Sequence, residues 1–286
     1  MGFTTDLMVR RLAGSDITDR SGYVVVRTRA NPRFHWGNFI LVPGNPADDE
    51  LARWIGVFTS EFPGAGHVAI GFDTVESPES PESPDGPAPS AAEGPGGRPE
   101  PEAGARSGAM GERAGVGIEV SRVLVAPSLL RPAPPSGRPE LRILGRDDDW
   151  AQLLGLRQAV AEDEGPSSED HQAFLRGSVE EARALSSTGR AAYFGAFVED
   201  RLCSSLGVVA EPGGSARYQT VETLSDFRRR GLAGNLVFLA ARHALGPLGA
   251  TGLVIVSDLE GAGPRLYRSL GFRDHEFQWE AYRATP

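Results

Sequence analysis

The chain has 286 residues, 40% of them hydrophobic, enough to bury one large core or two smaller ones, and two is the expectation. A formal net charge of -9 argues against a nucleic-acid partner, and the single cysteine, Cys203, rules out an internal disulfide and fits a reducing compartment. No basic start leads into an apolar segment, and no apolar run approaches the roughly 18 residues of a membrane helix, so the expectation is a soluble cytoplasmic protein with no membrane partner.

In chain order, residues 22–28 (GYVVVRT) and 36–42 (WGNFILV) read as strands from their β-branched and aromatic content. A helix follows over about 48–62: Asp48 and Asp49 suit its start, and Leu51, Trp54, Ile55, Phe58 and Phe62 recur at helical spacing. Residues 67–72 (HVAIGF) are the next strand. His35 and His67 flank strands without a cysteine or carboxylate at metal-ligand spacing, so both are read as packing or surface residues and no metal site is expected.

From 77 to 114 the composition changes to Pro, Gly, Ser, Ala and Glu, with a short near-repeat SPE-SPE-SPD. Between Glu76 and Arg106 seven acids face two arginines, so much of the negative charge is local. Such a segment buries too little apolar surface to offset the entropy of ordering, and it is expected to be a disordered insertion. Strand character returns at 117–126 (GIEVSRVLVA), and a proline-rich linker follows to about 139.

The second half opens with a strand at 141–144 and a helix that starts at Asp147, Asp148 and Asp149 and runs to about 161; a second helix covers about 168–185. Strands follow at 191–198, 202–210 and 218–224, Cys203 in the second of them reading as a small buried residue. Then comes Arg228, Arg229, Arg230, Gly231, Leu232, Ala233, Gly234 (RRRGLAG), placed where a strand turns into the helix 236–245. The first turn of a helix has backbone N–H groups without intrahelical partners and carries partial positive charge, so it suits an anion. Gly231 admits close approach of a ligand, and the arginines add charge and forked donors. A strand at 252–257 (GLVIVS) and a helix ending in LYRSLGF, 266–272, complete the pattern.

Arg228-x-x-Gly231-x-Ala233 resembles the pyrophosphate-binding signature of the GNAT superfamily of acyl-CoA-dependent N-acetyltransferases, and LYRSLGF looks like that family's next motif. The resemblance covers residues 140–283, and its order β-α-α-β-β-β-α-β-α-β is that of the GNAT fold. It implies an α/β protein with a mixed sheet, acetyl-CoA as cosubstrate, and an amine as acceptor. It further implies that Arg228, Arg229, Arg230, Gly231, Ala233 and Gly234 hold the pyrophosphate. The strand before the loop should splay from its neighbour, with the pantetheine arm pairing at Thr223 and Leu224. Tyr267 stands where many family members have a tyrosine general acid, with core packing as its alternative role. Glu222 is a candidate base acting directly or through water, or else a structural partner. The chain departs from the family in having Glu260 and Gly263 where asparagine and alanine are common.

A P-loop is absent, and a dinucleotide fold is disfavoured because the turn lacks the first glycine of G-x-G-x-x-G. The competing function is a CoA-binding sensor without turnover. A small molecule or a peptide is open as the acceptor, and Glu162, Asp163, Glu164, Glu169 and Asp170 would favour a cationic one if they border its cleft. A homodimer is also open. The expected organisation is an N-terminal, non-catalytic GNAT-like domain over 1–76 and 115–127, the insertion at 77–114, a linker at 128–139 and the GNAT domain over 140–286. The N-terminal part reads as a degenerate copy: 36–42, the helix and 67–72 repeat the order around Gly231, and 117–126 would be its closing strand. Its loop, 43–49 (PGNPADD), has two prolines and two aspartates where pyrophosphate would sit, so this copy should not hold CoA.

Overall fold

Residues 1–44, 50–74 and 114–284 are described in the computed structural model. The N-terminal half comprises α1 (Gly2–Leu12), β1 (Asp16–Arg20), β2 (Tyr23–Arg27), β3 (Asn38–Pro43), α2 (Leu51–Glu61), β4 (His67–Asp73) and β5 (Gly117–Ala126). The C-terminal half comprises β6 (Glu140–Ile143), α3 (Asp147–Glu164), α4 (Glu169–Ser187), β7 (Ala191–Val198), β8 (Arg201–Ala210), β9 (Ser215–Thr223), α5 (Leu232–Leu245), β10 (Gly252–Asp258), α6 (Ala262–Ser269) and β11 (Arg273–Ala284). The second half follows the expected order element by element. The helix α1 and the strand β1 were not anticipated from the sequence. The insertion expected at 77–114 lies outside the described residues apart from Ala114, and so do residues 45–49 of the N-terminal loop.

Among the described residues, all eleven strands join one sheet in the order β1-β2-β3-β4-β11-β5-β10-β9-β8-β7-β6. The centre of that order corrects the expectation for β5. It does not close the N-terminal copy beside β4; it pairs antiparallel with β10, while β11 inserts between β4 and β5. Each half therefore lends its last strand to the other. The run β3-β4-β11 mirrors β9-β10-β5, since β3–β4 and β9–β10 are parallel and β4–β11 and β10–β5 antiparallel. A strand flanked on both sides exposes no open edge, so this exchange joins the halves into one sheet.

Helices cover both faces of the C-terminal sheet. α5 puts Leu236, Val237, Ala240 and Ala244 against Phe194, Leu206 and Val208, and all seven are almost wholly buried. On the other face, Leu153 and Leu156 of α3 and Val179 and Leu185 of α4 pack with Met8 and Val9 of α1. Each large side chain so buried contributes about 1.5–3 kcal/mol. The aspartates heading α3 behave as expected: Asp149 accepts the Gly145 and Arg146 amides at 2.9 Å and a bidentate pair from Arg142. Those donors hold its carboxyl well below the usual range. Cys203 is buried, and burial pushes its thiol up. His35 and His67 stack on one another with centroids 4.4 Å apart, a packing role. No helix among the described residues is long and apolar enough to cross a membrane.

Candidate active site

Parallel strands β9 and β10 are paired only at Ser215–Gly252, Ala216–Leu253 and Arg217–Val254, and beyond that they part. The bend has a local cause. Glu222 of β9 opposes Ser205 but Gln219 opposes Gly207, so β9 carries one extra residue here, and Thr220 has a φ of 47°. A bulge of this kind bends a strand and strengthens its twist. The result is the expected splay. A cleft of about 1150 Å³ extends from it to α3, α4 and the N-terminal half.

The backbone edge facing this opening follows from strand alternation. The Leu224 amide donates to Cys203 O at 3.0 Å, so the peptide groups of Thr223 and Val221 point away from β8. Thr223 O accepts from Arg228 Nε at 3.1 Å, in keeping with that direction. Leu224 departs from the sequence expectation: it is buried, is absent from the cleft lining, and its carbonyl accepts from the Phe227 amide.

At the mouth of the opening Gly231 caps α5 with φ 78°, ψ 7°, a left-handed conformation that glycine adopts without strain. No side chain caps this helix and its first turn has no acid, so its first amides are left without a side-chain partner beside the cleft. Arg228, Arg229, Gly231, Ala233 and Gly234 line the cleft. A Cβ on Gly234 would stand 3.2 Å from Leu266 Cδ1, so the position favours the smallest residue. Arg228 also reaches Asp163 at 3.4 Å. Arg230 is the exception among the arginines: its guanidinium lies over Phe227 and donates to Asp226 O, and it does not line the cleft.

Glu222 and Tyr267 border the same cleft. Tyr267 is 6% exposed, and burial, with a smaller contribution from Asp258, pushes its phenol up to about 12, so it holds its proton at neutral pH. Gly263, one of the departures from the family pattern, has a physical reason: a Cβ there would lie 2.9 Å from Ser257 Oγ. Glu260, the other, is exposed and outside the cleft.

The far end of the cleft is built from residues that sequence reading missed. His171, Phe174, Ser178 and Glu181 come from one face of α4, Arg157 and Val160 from α3, and Arg10 and Phe34 from the N-terminal half. Glu181 binds Arg10 through two hydrogen bonds of 2.9 and 2.7 Å, and the Arg10 guanidinium covers the Phe34 ring at 4.7 Å. Phe34 in turn meets Phe174 at 5.4 Å. Arg157 is 5% exposed, and its Nε lies 3.5 Å from Glu222 Oε2. A signal for Arg157 exists in the sequence: it follows Trp150 and Leu153 on their apolar stripe, where a charge is out of place. Of the acidic loop, by contrast, Glu162, Asp163, Glu169 and Asp170 are not in the cleft lining. Asp163 holds Arg228, and Asp170 holds Arg33 of the N-terminal half at 2.6 Å.

The corresponding strands of the N-terminal half remain closed. β3 and β4 pair from Ile40–Ile70 to Pro43–Asp73, and the Gly44 amide continues the ladder to Asp73 O at 3.1 Å. Among the described residues no opening like that between β9 and β10 exists there.

Residues 200–284 match the family described as FR47-like protein. No curated protein matches the chain. Among solved structures, a conserved protein of unknown function from Staphylococcus epidermidis aligns with TM-score 0.66 and 11% identity over 95% of each chain. A GCN5-related N-acetyltransferase from Kribbella flavida aligns with TM-score 0.59 and 13% identity, covering 96% of this chain and 95% of that one. A tandem GNAT protein from the clavulanic acid biosynthesis pathway gives TM-score 0.50 and 14% identity, covering 97% and 88%. The fold is thus the GNAT acyltransferase fold in the C-terminal half, with a smaller GNAT-like N-terminal half.

Proposed function

We propose that the protein is a cytoplasmic N-acetyltransferase that moves an acetyl group from acetyl-CoA to a primary amine by direct attack in a ternary complex. The observation that carries this reading is the splay of β9 from β10 with the α5 N-terminus at its mouth and Glu222 and Tyr267 on its walls. A thioester cosubstrate fits these residues. The α5 amides, with Arg228 and Arg229, offer donors and positive charge to a pyrophosphate, and the peptide groups of Thr223 and Val221 offer strand-like pairing to an amide-bearing arm.

Glu222, directly or through water, takes the proton that the attacking amine loses as its nitrogen bonds to the acetyl carbon. As the carbon–sulfur bond breaks, Tyr267 gives its proton to the departing thiolate and regains one from solvent. The products are an N-acetyl amine and free CoA. Cleft walls from the N-terminal half, Arg10 and Phe34, border the acceptor end; no membrane or nucleic-acid partner is proposed.

The test is a thiol-release assay over a panel of amines, with acetyl-CoA binding measured in parallel by calorimetry. Amine-dependent release supports the reading. Binding without release for every amine would replace the enzyme with a CoA-binding sensor, and absence of binding would overturn both.

A further inference from the structure

A guanidinium removed from water needs charged partners and hydrogen bonds to offset its lost hydration. The two arginines at the far end of the cleft differ in how far this need is met. Arg10 has the bidentate carboxylate of Glu181 and the Phe34 ring. Arg157, equally buried, donates through Nη1 to Ser178 Oγ at 2.6 Å, and its Nε stands 3.5 Å from Glu222 Oε2, beyond good hydrogen-bond range. Its Nε makes no hydrogen bond, and its Nη2 donates none to any described residue. The side chain lies in the cleft wall with Glu222 beside it. A cation with unused donors next to a carboxylate is matched by a ligand carrying the opposite pair of charges.

We infer that the acceptor is a small zwitterion of the amino-acid type, its carboxylate held by Arg157 and its amino group lying against Glu222. The inference rests on the acetyltransferase reading and narrows it. A carboxylate uses the planar fork of Arg157, and the amine then stands at the group proposed to take its proton. Phe34 and Phe174, 5.4 Å apart in the same lining, form the wall for an apolar side chain.

Matched ligands that differ only in the carboxylate test this: phenylalanine against phenethylamine and leucine against isoamylamine, with binding read by calorimetry in the presence of CoA. A charge-assisted pair predicts the amino acid to bind about 10- to 100-fold more tightly than its decarboxylated partner. Arg157→Gln should abolish that gap, and Ser178→Ala, which only loosens the arginine, should narrow it. Equal binding of the two ligands, no binding of either, or a gap that persists in folded Arg157→Gln overturns the inference. The wild-type comparison decides alone if the variant does not fold. A carboxylate preference in a protein that fails to bind acetyl-CoA would instead sink the acetyltransferase reading and leave the Arg157 site standing.

Discussion

Gly231→Asp separates ligand binding from folding at the loop. With φ at 78°, a side chain at Gly231 incurs left-handed strain of about 1 kcal/mol, and aspartate is among the residues that tolerate this region best. Space is available: the new Cβ would lie 3.4 Å from Pro135 Cα and 3.7 Å from Asn235 Nδ2, both ordinary contacts. A carboxylate at the start of α5 also meets the partial positive charge of the helix, worth about 0.3–1 kcal/mol, so the net effect on stability is small. The ligand gains no such offset. A phosphate bonded to the first-turn amides would sit about 5 Å from the new carboxylate, and at an effective dielectric of about 20 each unit of phosphate charge meets about 3 kcal/mol of repulsion. Affinity for acetyl-CoA should therefore fall by about 100-fold or more, with circular dichroism and Tm close to wild type. Gly231→Ala, with strain but no charge, should lose far less. An unchanged Kd in Gly231→Asp refutes the pyrophosphate site.

Tyr267→Phe should lower kcat by about 10²- to 10⁴-fold and barely move acetyl-CoA affinity; unchanged kcat with a lower Tm would assign Tyr267 to packing alone. Limited proteolysis should cut first within 77–114, and replacing that segment with a short Gly/Ser linker should leave stability and activity intact, so loss of soluble protein would count against the reading. Titration should find one acetyl-CoA per chain, because β3 and β4 stay zipped where β9 and β10 part, and a stoichiometry of two would contradict that. Burial and the adjacent His67 ring hold His35 at about 4, below its ordinary 6.5. The folded state then binds fewer protons than the unfolded chain between those values, so the stability that neutral His35 provides is complete above pH 6.5 and is lost as pH falls toward 4. His35→Gln should flatten the Tm profile across that window, and an unaltered slope would exclude the effect.

Much of the fold was legible locally, because strands and helices leave periodic traces within a few residues of themselves. The apolar recurrence of Leu51, Trp54 and Phe58, the aspartates before α3 and the glycine of RRRGLAG each report a requirement met by near neighbours. From these the element order of the C-terminal half and the place of the turn that starts α5 could be read. α1 escaped because Thr4, Thr5 and Asp6 weaken its pattern, and its burial comes from partners on β9, β10 and β11. The exchange of β5 and β11 is a matter of pairing between residues far apart in the chain, more than two hundred positions for every pair of β11 with β4, which no local pattern encodes. The same limit applies to function. Thr223 and Leu224 look alike in a strand, and only the register to Cys203 decides which backbone group faces the opening. Arg157 on an apolar stripe was a visible anomaly, but its meaning depends on Glu222, Ser178 and Phe34 arriving from β9, α4 and the loop before β3. Local sequence determined where a glycine-containing turn meets a helix start; long-range packing decided what lines the cleft beside it, since burial and charge compensation are set by every element that meets there.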